Sequence, residues 1–327
     1  MIGGMAVPLR KRLRRGARSL ALRVLAALLG RLPLRAALAV GALAGRLAWH
    51  LAPGTRRLML AHLALAFPEK SEAERRAVAR ASLVHLGQVA LEVAALRRYR
   101  DRLEAYVSIA PGGAELVERA MARGRGLVFV AGHIGNWELL AQRLSRLAQP
   151  NAVVAKRNAD AWLNGAVERL RAEGGLETFW REDPATGRRL LRLFKRGGGL
   201  GILVDQDTKV QGVFAPFFGR PAFTPRAAAD LALRFGATAL VVTSHRRGPG
   251  RGAGHELEVV ELPYDPAPPD REAEVLRFTA AALAIQEAAI RRHPAEWVWM
   301  HRRWKTEPPL KGSLASAVPK SRELSGT

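Results

Sequence analysis

The sequence predicts an α/β fold, with a central, mostly parallel sheet flanked by helices and a basic helical region ahead of it. Three observations predict it. The short runs GLVFVAG (126–132), LGILVD (200–205) and ATALVVTSH (237–245) are β-branched, apolar and bounded by glycine or charge, as strands buried on both faces are. Helical patterns separate them, and strands that alternate with helices build a sheet covered on both sides. Upstream, residues 1–68 contain twelve Arg or Lys and no Asp or Glu.

The elements follow in order. VLAALLG (24–30) and AALAVGALAG (36–45) lie among the arginines, and Arg35 and Arg46 enclose only ten residues. A membrane-spanning helix needs about 20 apolar residues. The region therefore reads as amphipathic helices on a membrane surface, with Arg reaching phosphates and Leu and Ala in the acyl layer. The competing reading is a buried helical hairpin with a solvated basic rim. Residues 65–96 read as a loop and a long helix, with Ser71 as N-cap and Glu74 completing a capping box. A helix follows at 113–122, then the strand at 126–132 and a helix at 137–147, for which Asn136 is the N-cap. Next come a strand at 151–155, a helix at 161–172, and a helix at 188–196 that stops at three glycines. After the strand at 200–205, a Phe-, Pro- and Gly-rich segment at 211–225 reads as a loop. A helix at 226–236, the strand at 237–245, an exposed turn at 246–254 and a strand at 255–262 follow. The last helix is 271–294, ended by Pro294. The divisions expected are 1–115, a helical membrane-associated region; 116–305, the α/β domain; and 306–327, a loose tail.

Composition narrows the function. In 327 residues, 48% hydrophobic and 25% charged, there is enough apolar material for a large core, which excludes a disordered or collagen-like chain. The balance of 52 basic against 29 acidic residues gives +23, so anionic partners are expected: lipid, nucleic acid, or an acidic carrier or substrate. The absence of cysteine excludes disulfides, thiolate-bound metal centres and a Cys nucleophile. There is no phosphate-binding P-loop, no dinucleotide glycine fingerprint, no Gly-x-Ser-x-Gly elbow and no His-Glu-x-x-His. No His or acid cluster has metal-ligand spacing, so no metal is expected.

His133 directly follows a buried strand, and Glu138 lies five residues on, across His133-Ile134-Gly135-Asn136-Trp137-Glu138. A turn and one helical turn would bring the carboxylate onto the imidazole, which makes a general base with an orienting partner. Eight His and 29 acids give about 0.7 chance matches to that spacing, so spacing alone decides nothing. A hydrogen-bonded structural histidine is the alternative. Asp205-Gln206-Asp207 ends another buried strand, where open α/β sheets place ligands. These residues either orient a substrate hydroxyl or satisfy loop amides. The Phe214–Phe218 segment, with Phe217 and Phe218, either covers the core or lines an apolar channel. Trp297–Lys305, which includes Arg303, mixes Trp with cations and reads as an interfacial belt or as a rim for an anionic headgroup.

Four blocks, AFPEKSEAERR, GHIGNWELL (132–140), GILVDQDTKVQGVFAPFFGRPAFT (201–224) and WVWMHRRWK (297–305), together resemble the bacterial lipid A biosynthesis acyltransferases, within the wider lysophospholipid acyltransferase superfamily. The resemblance spans about residues 30–305. It implies a glycerolphosphate-acyltransferase-like fold and transfer of a fatty acyl group from a thioester to a glycolipid hydroxyl. It assigns His133 as base and Glu138 as its partner in a His-x4-Glu motif, with Asn136, Trp137, Lys156, Arg157, Asp205, Gln206, Asp207, Phe217, Phe218 and Arg303 around the substrates. No cofactor is implied beyond the donor thioester, carried by acyl carrier protein or coenzyme A. Membrane lipid and acyl carrier protein are the implied partners, and the cytoplasmic face of the inner membrane the implied location, peripheral or N-terminally anchored. The sequence departs from the family in having Lys156 and Asp160 where the family usually has Arg and, four residues on, Asn; Arg157 and Asn158 stand next door. Lys lacks the bidentate fork of Arg, which leaves the acceptor open to another glycolipid, such as a phosphatidylinositol mannoside. A basic nucleic-acid-binding protein is the non-enzyme alternative; only 6% aromatic residues and a Leu/Ala-interleaved basic region count against it.

Overall fold

A computed structural model describes residues 28–248 and 252–309. Helices α1 (Leu34–Leu51), α2 (Pro53–Ala66) and α3 (Glu72–Ala95) lead, followed by α4 (Leu103–Tyr106), β1 (Val107–Ile109) and α5 (Gly113–Ala122). Then come β2 (Leu127–Ala131), α6 (Trp137–Leu144), β3 (Asn151–Ala155), α7 (Ala161–Ala172), β4 (Leu176–Trp180), α8 (Thr186–Lys195) and β5 (Gly199–Leu203). A hairpin, β6 (Gly212–Phe217) and β7 (Arg220–Pro225), precedes α9 (Ala227–Phe235), β8 (Thr238–Arg246), β9 (His255–Glu261) and α10 (Arg271–Arg292). Seven strands form one sheet in the order β1-β9-β8-β2-β5-β3-β4. Every pairing is parallel except β8 with β9, so the expected α/β sheet, mostly parallel and flanked by helices, is the fold.

The sheet separates two apolar layers, and the two-residue period of a strand sorts its side chains between them. Val128 and Val130 of β2 and Ala239 and Val241 of β8 join Leu200, Phe194 and Phe278 on one face. Leu127, Phe129 and Ala131, with Leu240 and Val242, join Leu139, Leu140 and Leu144 of α6 on the other. Burying each Val, Leu or Phe contributes about 1.5–3 kcal/mol, which is why continuous apolar runs become central strands. A third cluster gathers Phe67, Phe217, Phe218, Trp297 and Trp299.

Local expectations held where caps and glycines carry them. Ser71 and Glu74 form the reciprocal capping box of α3. Asn136 caps α6 through its side-chain oxygen and the Leu139 N–H. The segment 211–225 corrects the loop expectation: it is an antiparallel hairpin, with Phe214 facing Phe223, because its alternate residues pack inward against α10 and the aromatic cluster. The edge strands β1 and β4 did not stand out in the sequence: β1 is only three residues long, and β4 is interrupted by the charged, exposed Glu177. Expectations for residues 1–27 and 310–327 lie outside the described residues.

The N-terminal helices do more than present a basic face. α1 crosses α3 in backbone contact: a Cβ on Gly41 would lie 2.4 Å from the Gly87 carbonyl oxygen, and one on Gly45 2.2 Å from that of Leu83. The opposite face of α1 leaves Val40, Leu43, Leu47 and Leu51 exposed, Leu51 at 79%. The helix thus has one packed and one open apolar side. No helix among the described residues is long and apolar enough to cross a membrane.

Candidate functional site

Neighbouring parallel strands in register deliver their following residues side by side. Ala131 of β2 pairs with Leu203 of β5, so His133 and Asp205, each two residues further on, meet at the C-terminal edge of the sheet. Asp205 Oδ1 accepts from His133 Nδ1 at 2.8 Å, and its Oδ2 accepts the His133 backbone N–H at 2.7 Å. Trp297 Nε1 donates to the same Oδ2 at 2.7 Å. Asp205 is fully buried. Burial opposes its ionisation, but the imidazole and these donors outweigh it and hold the carboxyl below its ordinary range. A carboxylate only accepts, so His133 Nδ1–H is the donor, and the neutral ring then presents Nε2 as its acceptor.

His133 is one wall of a cavity of about 650 Å³, within the range of small-molecule sites, on the order of 300–1,000 Å³. His133, Glu138, Lys156, Arg181, Gln206 and Thr208 lie at the C-terminal edge of the sheet. Phe129, Leu140, Leu144, Val153, Leu176 and Val242 make the inner walls. The lining follows β3 along its whole length, from Asn151 to Lys156, about 16 Å at roughly 3.3 Å per residue. Gly201, without a side chain, leaves room midway along it. The form is a polar mouth on an apolar slot.

The expected His133–Glu138 contact is replaced by two other pairs. Glu138 lines the cavity, but its carboxylate is held by the Arg171 fork, with Nε at 2.9 Å and Nη2 at 2.8 Å. Asp205 occupies the imidazole nitrogen that Glu138 was expected to hold. The reason is helical geometry: α6 begins at Trp137, and its first turn sends residue 138 toward α7, where Arg171 lies.

Trp137 meets the His133 ring edge-on, with centroids 5.0 Å apart, and lines the cavity with Lys156 and Gln206. Asn136 is fully buried and serves as a cap. Arg157 lies outside the cavity lining, its guanidinium over the Trp180 ring at 4.9 Å. Asp160 caps α7 by accepting from Trp162 and Leu163 N–H, while Asn158 reaches the cavity. Asp207 turns away and holds the C-terminal segment, accepting from the Thr306 N–H at 2.9 Å and the Thr306 hydroxyl at 3.0 Å. Phe217 and Phe218 are buried in the aromatic cluster instead of lining the slot. Arg303, fully buried beneath the hairpin, donates to Phe223 O and Thr224 Oγ1. Burial pushes its pKa down to about 10 against the pull of Asp205 and Asp207. Phe217, Phe218 and Arg303 thus lie outside the cavity lining.

Arg171 and Arg181 complete the cavity wall, yet neither stands in a motif. Trp297 stands in the aromatic and cationic segment at the C-terminus, but its bond to Asp205 spans 92 residues and no sequence period reports it.

A family model described as bacterial lipid A biosynthesis acyltransferase matches residues 8–306. The lipid A biosynthesis lauroyltransferase of Escherichia coli (strain K12) is 26% identical over 81% of this chain and 83% of its own length. The lipid A biosynthesis palmitoleoyltransferase of the same strain is 26% identical over 77% of this chain and 79% of its own. A phosphatidylinositol mannoside acyltransferase of Mycobacterium tuberculosis (strain CDC 1551 / Oshkosh) is 26% identical over 59% of each chain.

Proposed function

Because this chain belongs to the bacterial lipid A biosynthesis acyltransferase family and is an acyltransferase, we propose that it moves a fatty acyl group from a carrier thioester to a hydroxyl of a lipid A-type glycolipid. His133 is the general base. The observation that carries this reading is the His133 imidazole, protonated toward buried Asp205 and open at Nε2 to an apolar slot.

Nε2 takes the proton of the acceptor hydroxyl as its oxygen attacks the thioester carbon. Asp205 stabilises the imidazolium through Nδ1–H, and catalysis of this kind is worth about 10²–10⁴-fold. A C–O bond forms, the tetrahedral intermediate collapses, the C–S bond breaks, and the imidazolium returns its proton to the departing thiolate. No acyl-enzyme is needed, in keeping with a chain that has no cysteine. The apolar slot takes the acyl chain. Glu138, locked by Arg171, shapes the wall beside the base, and Lys156 and Arg181 face anionic groups of the substrates.

The donor is read as acyl carrier protein or coenzyme A, the former favoured by the charge of +23. The exposed leucines of α1, beside a region without acidic residues, support docking on the cytoplasmic face of the inner membrane. Lys156 keeps a second acceptor in play: the mycobacterial relative is named for a phosphatidylinositol mannoside, and a point cation does not demand the bidentate geometry of Arg.

Mass spectrometry of total lipid from cells with the protein, without it, and with His133→Ala tests the reading. Loss of one acyl chain from one lipid class, alike in the deletion and in His133→Ala, is the expected result and names chain and acceptor together. Full restoration by His133→Ala overturns the general-base mechanism.

A further inference from the structure

We propose that Glu92, on α3 and outside the cavity, is a positioning residue for acyl transfer: through the Asn136 amide it fixes the turn that joins His133 to α6. The inference rests on His133 as base.

Glu92 is fully buried. Its carboxylate accepts from Asn136 Nδ2 at 3.0 Å, Tyr106 Oη at 2.6 Å, both terminal nitrogens of Arg246 at 2.7 and 3.1 Å, and His255 Nε2 at 3.1 Å. Burial opposes the anion, but His255 and Arg246 outweigh it and keep Glu92 ionised.

An Asn amide has one donor end and one acceptor end. With Nδ2 drawn to an anion, Oδ1 must face the other way, where it accepts the Leu139 N–H at 3.1 Å and starts α6. Flipped, the amide would set its own NH2 against that N–H. The charge at 92 therefore chooses the amide orientation, and the amide chooses where α6 begins.

The same helix holds the preceding residue. His85, two turns before Glu92, is pushed down to about 3 by burial and is neutral. Its Nε2 contacts the Gly135 carbonyl oxygen at 3.1 Å, and with an acceptor there it is the donor. Gly135 has φ +60, and a Cβ on it would meet the Ser244 carbonyl oxygen at 2.1 Å. From the opposite side, Gly135 N–H donates to Glu296 O at 2.9 Å. The connection between base and helix is thus gripped by α3 at two consecutive residues. A buried charge adds little net stability on its own, so this one is used for geometry.

The test uses the purified full chain, membranes of cells lacking it as acceptor, and a dodecanoyl thioester of acyl carrier protein as donor. Rates are taken well below each variant's melting temperature. Asn136→Ser keeps a good helix cap but drops the link to Glu92; its kcat should fall about tenfold or more while the donor KM changes less than about threefold, since small misplacement of a base is costly. Glu92→Gln should do the same. In Asn136→Asp a carboxylate faces Glu92, and kcat falls further.

An unimpaired kcat in Asn136→Ser overturns the proposal, whether or not the Glu92 variants fold. So does an unimpaired kcat in a Glu92→Gln variant that folds. His133→Ala separates the two readings: if it is fully active, the general-base reading itself falls; if it is dead while Asn136→Ser is unimpaired, only the role of Glu92 falls.

Discussion

His133 and Asp205 lie 72 residues apart in sequence, yet the carboxylate grips both the backbone N–H and the ring Nδ1 of the histidine, at 2.7 and 2.8 Å. The strand register alone puts them there. Asp205→Asn keeps the shape but supplies an N–H in place of an anion, which favours the wrong imidazole tautomer. It should lower kcat by about 10²–10⁴-fold, with little change in the donor KM. Steady-state kinetics check this; a loss under threefold would remove Asp205 from the mechanism.

Glu138 and Arg171 form a second pair, each side chain about nine-tenths buried. Glu138→Gln strands a buried guanidinium and should cost about 3 kcal/mol of stability, whereas Glu138→Gln combined with Arg171→Met should regain much of it. Denaturant unfolding measures both. Activity recovered along with stability would limit Glu138 to a structural role.

Gly201 opens the slot. Its mirrored partners in the sheet are Phe129 and Val153, and a Cβ there would already stand 3.0 Å from Val153 Cγ1. Gly201→Leu should shift the product toward shorter acyl chains, read by mass spectrometry of the acylated lipid. Unchanged chain length at reduced rate would place the acyl chain elsewhere.

Glu296 gives a pH signature. Burial raises its carboxyl from 4.5 to about 7, against the opposing Arg246 backbone N–H and cation. The folded protein then holds a proton that the unfolded chain releases between those values. Its contribution is fully present below pH 4.5 and is lost as pH rises through 7, a decline of about 3 kcal/mol. Glu296→Gln should flatten that part of the profile, as unfolding free energies at pH 4.5 and 8 would show. An unaltered slope would assign it to other groups.

Membrane docking should depend on the open face of α1. Leu47→Glu with Leu51→Glu, both on exposed positions, should change the unfolding free energy by no more than about 1 kcal/mol, about 0.5 for each, and reduce flotation with vesicles containing anionic phosphatidylglycerol. Equal flotation of variant and parent would move the docking surface elsewhere.

Much of this was legible along the chain. Apolar runs marked the central strands, because full burial needs continuous hydrophobic residues, and Ser71 and Asn136 marked helix starts, because capping is local chemistry. His133 was legible as a residue at a strand end, and Asp205 likewise. The edge strand β4 was not, because LETFW alternates around a charged Glu177 and lacks a β-branched run. The hairpin at 212–225 was not, because prolines and glycines mask pairing that depends on α10 lying across it.

Helix and strand periods and caps are written within a few residues, so the central strands, most helices and the strand-end positions that carry chemistry could be read along the chain. Which acid serves which partner was settled by packing between distant elements. Spacing offered Glu138 to His133, but parallel strand register brought Asp205 there first, and the direction of α6 carried Glu138 to Arg171. Contacts of that kind are made between elements far apart in sequence, and no local period encodes them.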